Sequence, residues 1–205
     1  MRMQVLYANP VKPNQPTEVS FLLSSAYAQK LPAAQDPVFS DFFYAPYEAA
    51  AAAGLELLSD ARRSMPLDVL TLQYRLKSGE SIRGKLRRKH LPQTAASAST
   101  ALHDIAGLRA VLGTRDAVYR YAEAILQSPA LELLDVHDYI AFPKPSGYRS
   151  LHLIVRIPVS LPSGIYAVPI EIQLRTAAMD AWACAEHRLI YKPAGCAQAC
   201  LRRTM

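Results

Sequence analysis

The stretch Pro169-Ile-Glu-Ile-Gln-Leu-Arg175 constrains the fold most, because apolar and polar residues alternate along it without a break. In an extended chain successive side chains point to opposite faces. Ile170, Ile172 and Leu174 therefore form a core face, and Glu171, Gln173 and Arg175 line up on the other. The polar face carries a carboxylate, an amide and a guanidinium in a row. An ion-paired surface strand would look the same, so the other charged positions have to decide what the row is for.

A second alternating run lies at residues 69–77. Leu70, Leu72, Tyr74 and Leu76 share one face, which leaves Arg75 and Lys77 to project together away from the core. A helix over 81–90 follows, with Ile82 and Leu86 as its apolar side and Ser81 and Lys85 elsewhere on its surface. Residues 105–112 are apolar enough for a buried strand, with Gly107 read as a bulge or a close backbone approach. Asp104 and Arg109 would leave a regular strand on opposite faces, so they reach one site only if the strand starts irregularly. Thr114 is a helix N-cap for a segment running to Gln127. Strands over 131–140 and 151–157, a loop at 143–147, a turn at 160–164 and a helix over 177–191 complete the reading. Upstream, helices are expected over 17–30 and 47–63, the second ended by Pro66. Helices interleaved with about five strands predict an α+β domain with a mixed sheet.

Charge is uneven along the 205 residues. Residues 1–60 hold 3 basic and 6 acidic groups, whereas nine basic groups fall between Arg62 and Lys89 against only Asp68 and Glu80. Such a stretch favours phosphate, on a nucleotide or a nucleic acid. No run of 18 apolar residues and no signal-like leader is present, which points to a cytoplasmic protein without a membrane span. The three cysteines, Cys184, Cys196 and Cys200, read as reduced thiols rather than a disulfide framework. Cys196 and Cys200 lack a partner pair for zinc. The His103-Asp104 and His137-Asp138 dipeptides stand beside strand-like runs and not on the helical scaffold a metal phosphohydrolase needs.

Carboxylates at Asp104 and Glu171, with cations Arg75, Lys77, Lys85, Arg109, Lys144, Arg149 and Arg175 at element ends, suit phosphoryl or pyrophosphoryl transfer. That chemistry depends on positioning and charge neutralisation.

Five motifs in order carry a more specific signal: 75–85 (Arg-Leu-Lys-Ser-Gly-Glu-Ser-Ile-Arg-Gly-Lys), 104–109 (Asp-Ile-Ala-Gly-Leu-Arg), 138–152 (Asp-Tyr-Ile-Ala-Phe-Pro-Lys-Pro-Ser-Gly-Tyr-Arg-Ser-Leu-His), 171–176 (Glu-Ile-Gln-Leu-Arg-Thr), and 183–187 running to Tyr191-Lys192. Over roughly 47–192 the chain resembles the RelA/SpoT synthetase domain in its stand-alone form, the small alarmone synthetases. The resemblance implies a nucleotidyltransferase-like mixed sheet flanked by helices; in this chain a Pro-rich segment over 1–46, unlike a typical relative, precedes the matched region, and a short tail over 193–205 follows it. The resemblance also implies a GTP/GDP pyrophosphokinase that moves the β,γ-pyrophosphate of ATP to the 3′-hydroxyl of GDP or GTP, making (p)ppGpp with Mg²⁺ and without hydrolase activity. Under it, Arg75 and Arg109 sandwich adenine, Lys77, Ser81 and Lys85 hold the ATP phosphates, and Asp104 and Glu171 bind the metal. Glu171 also activates the hydroxyl. Tyr148 stacks on guanine, Lys144 and His152 contact acceptor phosphates, and Gln173, Arg175 and Asp180 complete the acceptor pocket. Relatives assemble into homo-oligomers, a candidate state here too. A toxin-type relative acting on adenine nucleotides or the tRNA 3′ end, neutralised by an antitoxin, is an alternative reading. A non-catalytic nucleotide-binding remnant is another.

Overall fold

The computed structural model describes residues 38–191. The helix expected over 17–30, Lys192, and the tail with Cys196 and Cys200 lie outside the described residues. In chain order the elements are α1 (Asp41–Arg63), β1 (Val69–Leu76), α2 (Gly79–Arg88), α3 (Ala95–Ala101), β2 (Ala106–Leu112), α4 (Arg115–Leu126), β3 (Glu132–Asp138), β4 (Leu151–Leu161), β5 (Gly164–Thr176) and α5 (Ala177–Tyr191). The five strands form one mixed sheet in the order β1-β2-β5-β4-β3. Only the β2–β5 pair is parallel; β1–β2, β4–β5 and β3–β4 are antiparallel. This is the expected α+β architecture.

One sheet face is apolar and packs under α1 and α4. Ile170, Ile172 and Leu174 of β5 are fully buried there, as their alternation requires, together with Leu108 and Ala110 of β2 and Leu153 and Val155 of β4. The inward side of α1 carries Tyr44, Tyr47, Ala50, Ala51, Ala53, Gly54 and Leu58. The alanine run is therefore more than a helix former: small side chains let α1 lie close on the sheet. The tightest point is Gly54, where an added Cβ would meet Leu108 Cδ1 at 2.5 Å and Ile170 Cδ1 at 3.1 Å. The Tyr121 hydroxyl of α4 donates to the Leu58 carbonyl and joins the two covering helices.

Several features differ from the sequence reading. α1 starts at Asp41, six residues earlier than expected, with Pro46 inside it. In its second turn the proline removes a single bond, to the carbonyl of solvent-exposed Phe42, so the helix tolerates it. The short α3 was not anticipated; Thr94 caps it by accepting from the Ser97 amide at 3.2 Å. Leu70 is not a core residue, because a register shift between Val69 and Thr71 turns it to solvent. The turn expected at 160–164 is tighter: β4 and β5 continue as a hairpin to a Leu161–Gly164 pair. β4 and β5 thereby take in Pro158 and Pro169. Both lie where the hairpin has outrun β3 and β2, so no third strand misses their N–H groups. Gly107 sits in unbroken register and is no bulge. No helix among the described residues is long and apolar enough to cross a membrane.

Two glycine substitutions should move stability in opposite directions. Gly54→Ala gains about 1 kcal/mol of helix propensity but overpacks a core contact at a cost of about 1–3 kcal/mol, for a net loss. Gly84→Ala on α2 meets only Arg88 Nη1 at an ordinary 3.7 Å and should gain up to about 1 kcal/mol. Denaturant titrations of both variants check the signs; a Gly54→Ala protein as stable as the parent would contradict the close packing of α1.

Candidate active site

The other sheet face is polar, and strand register determines which side chains meet on it. Laterally paired residues share a face. Gln73, Arg109, Gln173, His152 and His137 form one row across all five strands, and Arg75, Gly107, Glu171, Ile154 and Asp135 form the next. Arg75 and Glu171 therefore flank a residue with no side chain. An added Cβ at Gly107 would touch Arg75 Cγ at 3.9 Å, so the glycine keeps the centre of the face open. A shallow cleft at this point is lined by Gln73, Arg75, Gly107, Arg109 and Gln173.

Asp104 lies in the connector just before β2, outside the strand. This irregular start gives it a different direction from Arg109. Lys77 and Lys85 both donate to Asp104 Oδ2, the second at 2.8 Å. The other oxygen, Oδ1, is buried without a hydrogen-bond partner. Burial alone would raise the Asp104 pKa, but the two lysine hydrogen bonds outweigh it and hold the carboxyl below its usual range. Burial pushes the Lys77 ammonium down, against the support of Asp104. Lys77 is fixed from both sides of its backbone: its amide donates to Ile105 and its carbonyl accepts from the Tyr44 hydroxyl. Ser81 stands one turn before Lys85 on α2, its amide donating to the Ser78 side chain at 3.3 Å.

Glu171 is held through both oxygens. His152 Nδ1 lies 3.1 Å from Oε1, and Gln173 Nε2 donates to Oε2. Burial opposes its charge, but His152, Gln173 and the nearby Lys85 prevail and bring its pKa down to about 2. Lys85 thus lies in the field of both carboxylates, which ties Asp104 and Glu171 into one site.

Arg175, on the polar face as its strand position requires, is only 4% exposed. It donates to Gln173 Oε1 at 2.8 Å, to the Tyr148 hydroxyl at 2.6 Å and to Asp180 Oδ1 at 3.0 Å. Asp180 is on α5, which packs on this face, and the same oxygen takes Arg109 at 3.3 Å. Burial and the neighbouring Arg175 and Arg75 disfavour the Arg109 charge, whereas Asp180 supports it.

The loop before β4 supplies the aromatic end of the site. The Gly147 amide donates to the Lys144 carbonyl at 2.8 Å, and Gly147 has φ +82°, a value that favours glycine. This turn brings Lys144 over the rings of Tyr139 and Tyr148, at 4.4 and 5.0 Å. Arg149 is used differently: its guanidinium donates to the Ile140 carbonyl at 2.9 Å and braces the loop. Sequence reasoning missed Tyr139, which sits edge-on to both Tyr148 and His152. It also missed the buried Ser150, whose hydroxyl lies under Arg175. Both fall inside the 138–152 motif, which was the only available signal for them.

The arrangement offers guanidinium and ammonium groups for phosphates and flat rings, an ionised carboxylate at its centre, and a partly unsatisfied second carboxylate. Among the described residues no cluster of three or more His, Cys, Asp or Glu side chains is ready to hold a metal. The two carboxylates suit a hard cation such as Mg²⁺, which binds through one or two carboxylates together with substrate phosphates and water. The unpartnered Asp104 Oδ1 fits that donor set.

Comparison with known proteins identifies the family. The family model described as a region found in RelA / SpoT proteins matches residues 74–195. The chain is 45% identical over 118 residues to GTP pyrophosphokinase YwaC of Bacillus subtilis, covering 58% of this chain and 56% of that protein. It is 41% identical over 130 residues to GTP pyrophosphokinase YjbM of the same organism, covering 63% and 59%. The matched region thus spans little more than half the length of these curated relatives. Among solved structures, the small alarmone synthetase 1 of Bacillus subtilis bound to its product pppGpp superposes with a TM-score of 0.68 at 35% identity, covering 73% of this chain and 78% of that one. A GTP pyrophosphokinase family protein from Streptococcus pneumoniae gives 0.69 at 32%, covering 73% and 75%.

The depressed Glu171 pKa has a stability consequence with a definite sign. A carboxylate whose folded value lies below its unfolded value stabilises the fold above the unfolded value, and the benefit is lost as pH falls toward the folded one. The unfolding free energies of the parent and Glu171→Gln proteins should differ by a constant amount from pH 7 to about 5 and then by a shrinking amount toward pH ~2. A difference independent of pH would mean that the carboxylate is not held ionised.

Proposed function

The chain belongs to the RelA/SpoT family, and from that premise we propose that it transfers the β,γ-pyrophosphate of ATP to the 3′-hydroxyl of GDP or GTP. The observation that carries the reading is the row Arg75–Gly107–Glu171, which puts an ionised carboxylate in the middle of a cationic face. Arg75 and Arg109 bind the adenine, their planar guanidinium groups suited to stacking. Lys77, Ser81 and Lys85 donate to the ATP phosphates. Tyr148 stacks on guanine, with Lys144 beside it for the acceptor's phosphates, and Gln173, Arg175 and Asp180 border the same pocket. His152 belongs to this end of the site as well.

The chemistry follows from these positions. The acceptor's 3′ oxygen attacks the β-phosphorus of ATP, and its proton passes to Glu171. The bond between the β-phosphorus and the bridging oxygen breaks, and AMP leaves with the electron pair. Lys77 and Lys85, released from Asp104 by the incoming polyanion, stabilise the charge on the transferring group. Mg²⁺ held by Asp104 and Glu171 would offset the charge that develops on the phosphates. Both substrates are soluble nucleotides, so we place the reaction in the cytoplasm.

Purified protein incubated with γ-labelled ATP and, separately, GDP, GTP, AMP, ADP, ATP and tRNA tests this directly. Label should move to the guanine nucleotides in a Mg²⁺-dependent way. Transfer only to adenine nucleotides or tRNA would replace the reading with the toxin-type one. Glu171→Gln should lower turnover by two or more orders of magnitude, about the worth of a positioned general base, while the protein stays folded.

The two nucleotide subsites separate by mutation. Stacking on an aromatic ring contributes about 1–3 kcal/mol per base. Tyr148→Ala should weaken the guanine nucleotide by about tenfold to a hundredfold with little change for ATP, and Arg109→Ala should reverse the pattern. Equal losses for both nucleotides in the Tyr148 variant would exclude the acceptor role.

A further inference from the structure

His152 stands on β4 between Gln173 of β5 and His137 of β3. Its side chain is 8% exposed, and both ring nitrogens are engaged inside the protein. Nδ1 faces Glu171 Oε1 at 3.1 Å, and Nε2 faces the Tyr148 hydroxyl at 2.9 Å. The rings of Tyr139 and Tyr148 meet it edge-on, at 5.2 and 5.9 Å with interplanar angles of 86° and 88°, and fix its plane.

The tautomer follows from the partners. An ionised carboxylate only accepts, so Nδ1 carries a hydrogen, and in the neutral ring Nε2 then accepts from the Tyr148 hydroxyl. That hydroxyl oxygen in turn accepts from Arg175 Nη2 at 2.6 Å. Donation therefore runs in one direction, from Arg175 through Tyr148 and His152 to Glu171. A phosphate at His152 would have to break one of these bonds.

We infer that His152 is a positioning residue that orients Glu171 through Nδ1–H and ties the guanine-stacking Tyr148 to the same ring through Nε2. The inference rests on the proposed transfer reaction and deepens it. One buried ring sets the distance between the group that receives the hydroxyl proton and the ring that holds the acceptor base. A hydrogen bond to an ionised carboxylate is charge-assisted, and from a buried ring it orients a reacting group without touching the substrate.

Two substitutions divide the ring's contacts. The shorter amide of His152→Asn can replace the Nδ1–H donor to Glu171 and loses Tyr148, whereas His152→Gln reaches toward Tyr148 and loses Glu171. In steady-state transfer assays His152→Gln should lower kcat by about tenfold to a hundredfold with the KM for GTP near that of the parent. His152→Asn should recover most of kcat and raise that KM instead. A rise in KM of the same size in both variants, with kcat intact, would make His152 a phosphate contact and overturn the inference. The ¹⁵N imidazole spectrum of the unsubstituted protein gives a readout that no folding defect can mask. Hydrogen on Nδ1 is expected; hydrogen on Nε2 would overturn the inference. If the unsubstituted protein transfers no label, the proposed reaction fails, and the spectrum still tests the hydrogen-bond direction.

Discussion

The parallel pairing of β2 with β5 is the constraint on which the rest of the site depends. It sets Gly107 against Glu171 and Arg109 against Gln173. Antiparallel β1 then adds Arg75 and Gln73 to the same two rows, and antiparallel β4 adds Ile154 and His152. A slip of one residue in β5 would exchange its faces, sending Glu171 into the core beneath α1 and Ile172 to the polar side. The apolar seal by α1 and α4 therefore fixes the register, and the register builds the site. Core packing and chemistry are two sides of one strand here.

The charges on this face are stable because each carboxylate is shared. Asp104 lies between Lys77 and Lys85, Asp180 between Arg109 and Arg175, and Glu171 within reach of His152, Gln173 and Lys85. Without these partners, burying so many ions would cost several kcal/mol each. The sharing also makes the cations available. Under the proposed reaction a polyphosphate would offer Lys77 and Lys85 more oxygens than one Asp104 carboxylate does, so they would pass to the substrate without being left buried and unpaired. Under the proposed reaction the acidic groups differ: Asp104 and Asp180 hold cations that the substrates would take over, whereas Glu171 stays between His152 and Gln173.

Much of this could be read from the sequence, for identifiable reasons. The alternation at 169–175 gave both faces of β5, and the paired apolar positions of α2 gave Ile82 and Leu86. Thr114 caps α4 as read, its hydroxyl accepting from the Ala117 amide at 3.1 Å. What escaped depended on neighbours. Leu70 looked like a core residue until the shift beside Val69 turned it outward. The strands read over 151–157 and 169–175 are longer, because the two continue as a hairpin to Leu161 and Gly164. The alternation put Arg175 on the polar face, but its ion pair with Asp180 of α5 depends on how that helix folds back. The ordered motifs named Glu171 and His152 as site residues, but their hydrogen bond spans nineteen residues, and no local pattern encodes it.

The most direct test of the account is a crystal structure of the protein with a non-hydrolysable ATP analogue, GDP and Mg²⁺. The account predicts the adenine between Arg75 and Arg109, its phosphates along Lys77 and Lys85, and the guanine against Tyr148, with the 3′-hydroxyl facing Glu171. Nucleotides bound away from the polar sheet face, for example in the apolar groove between Phe43, Tyr47 and Tyr166, would contradict it.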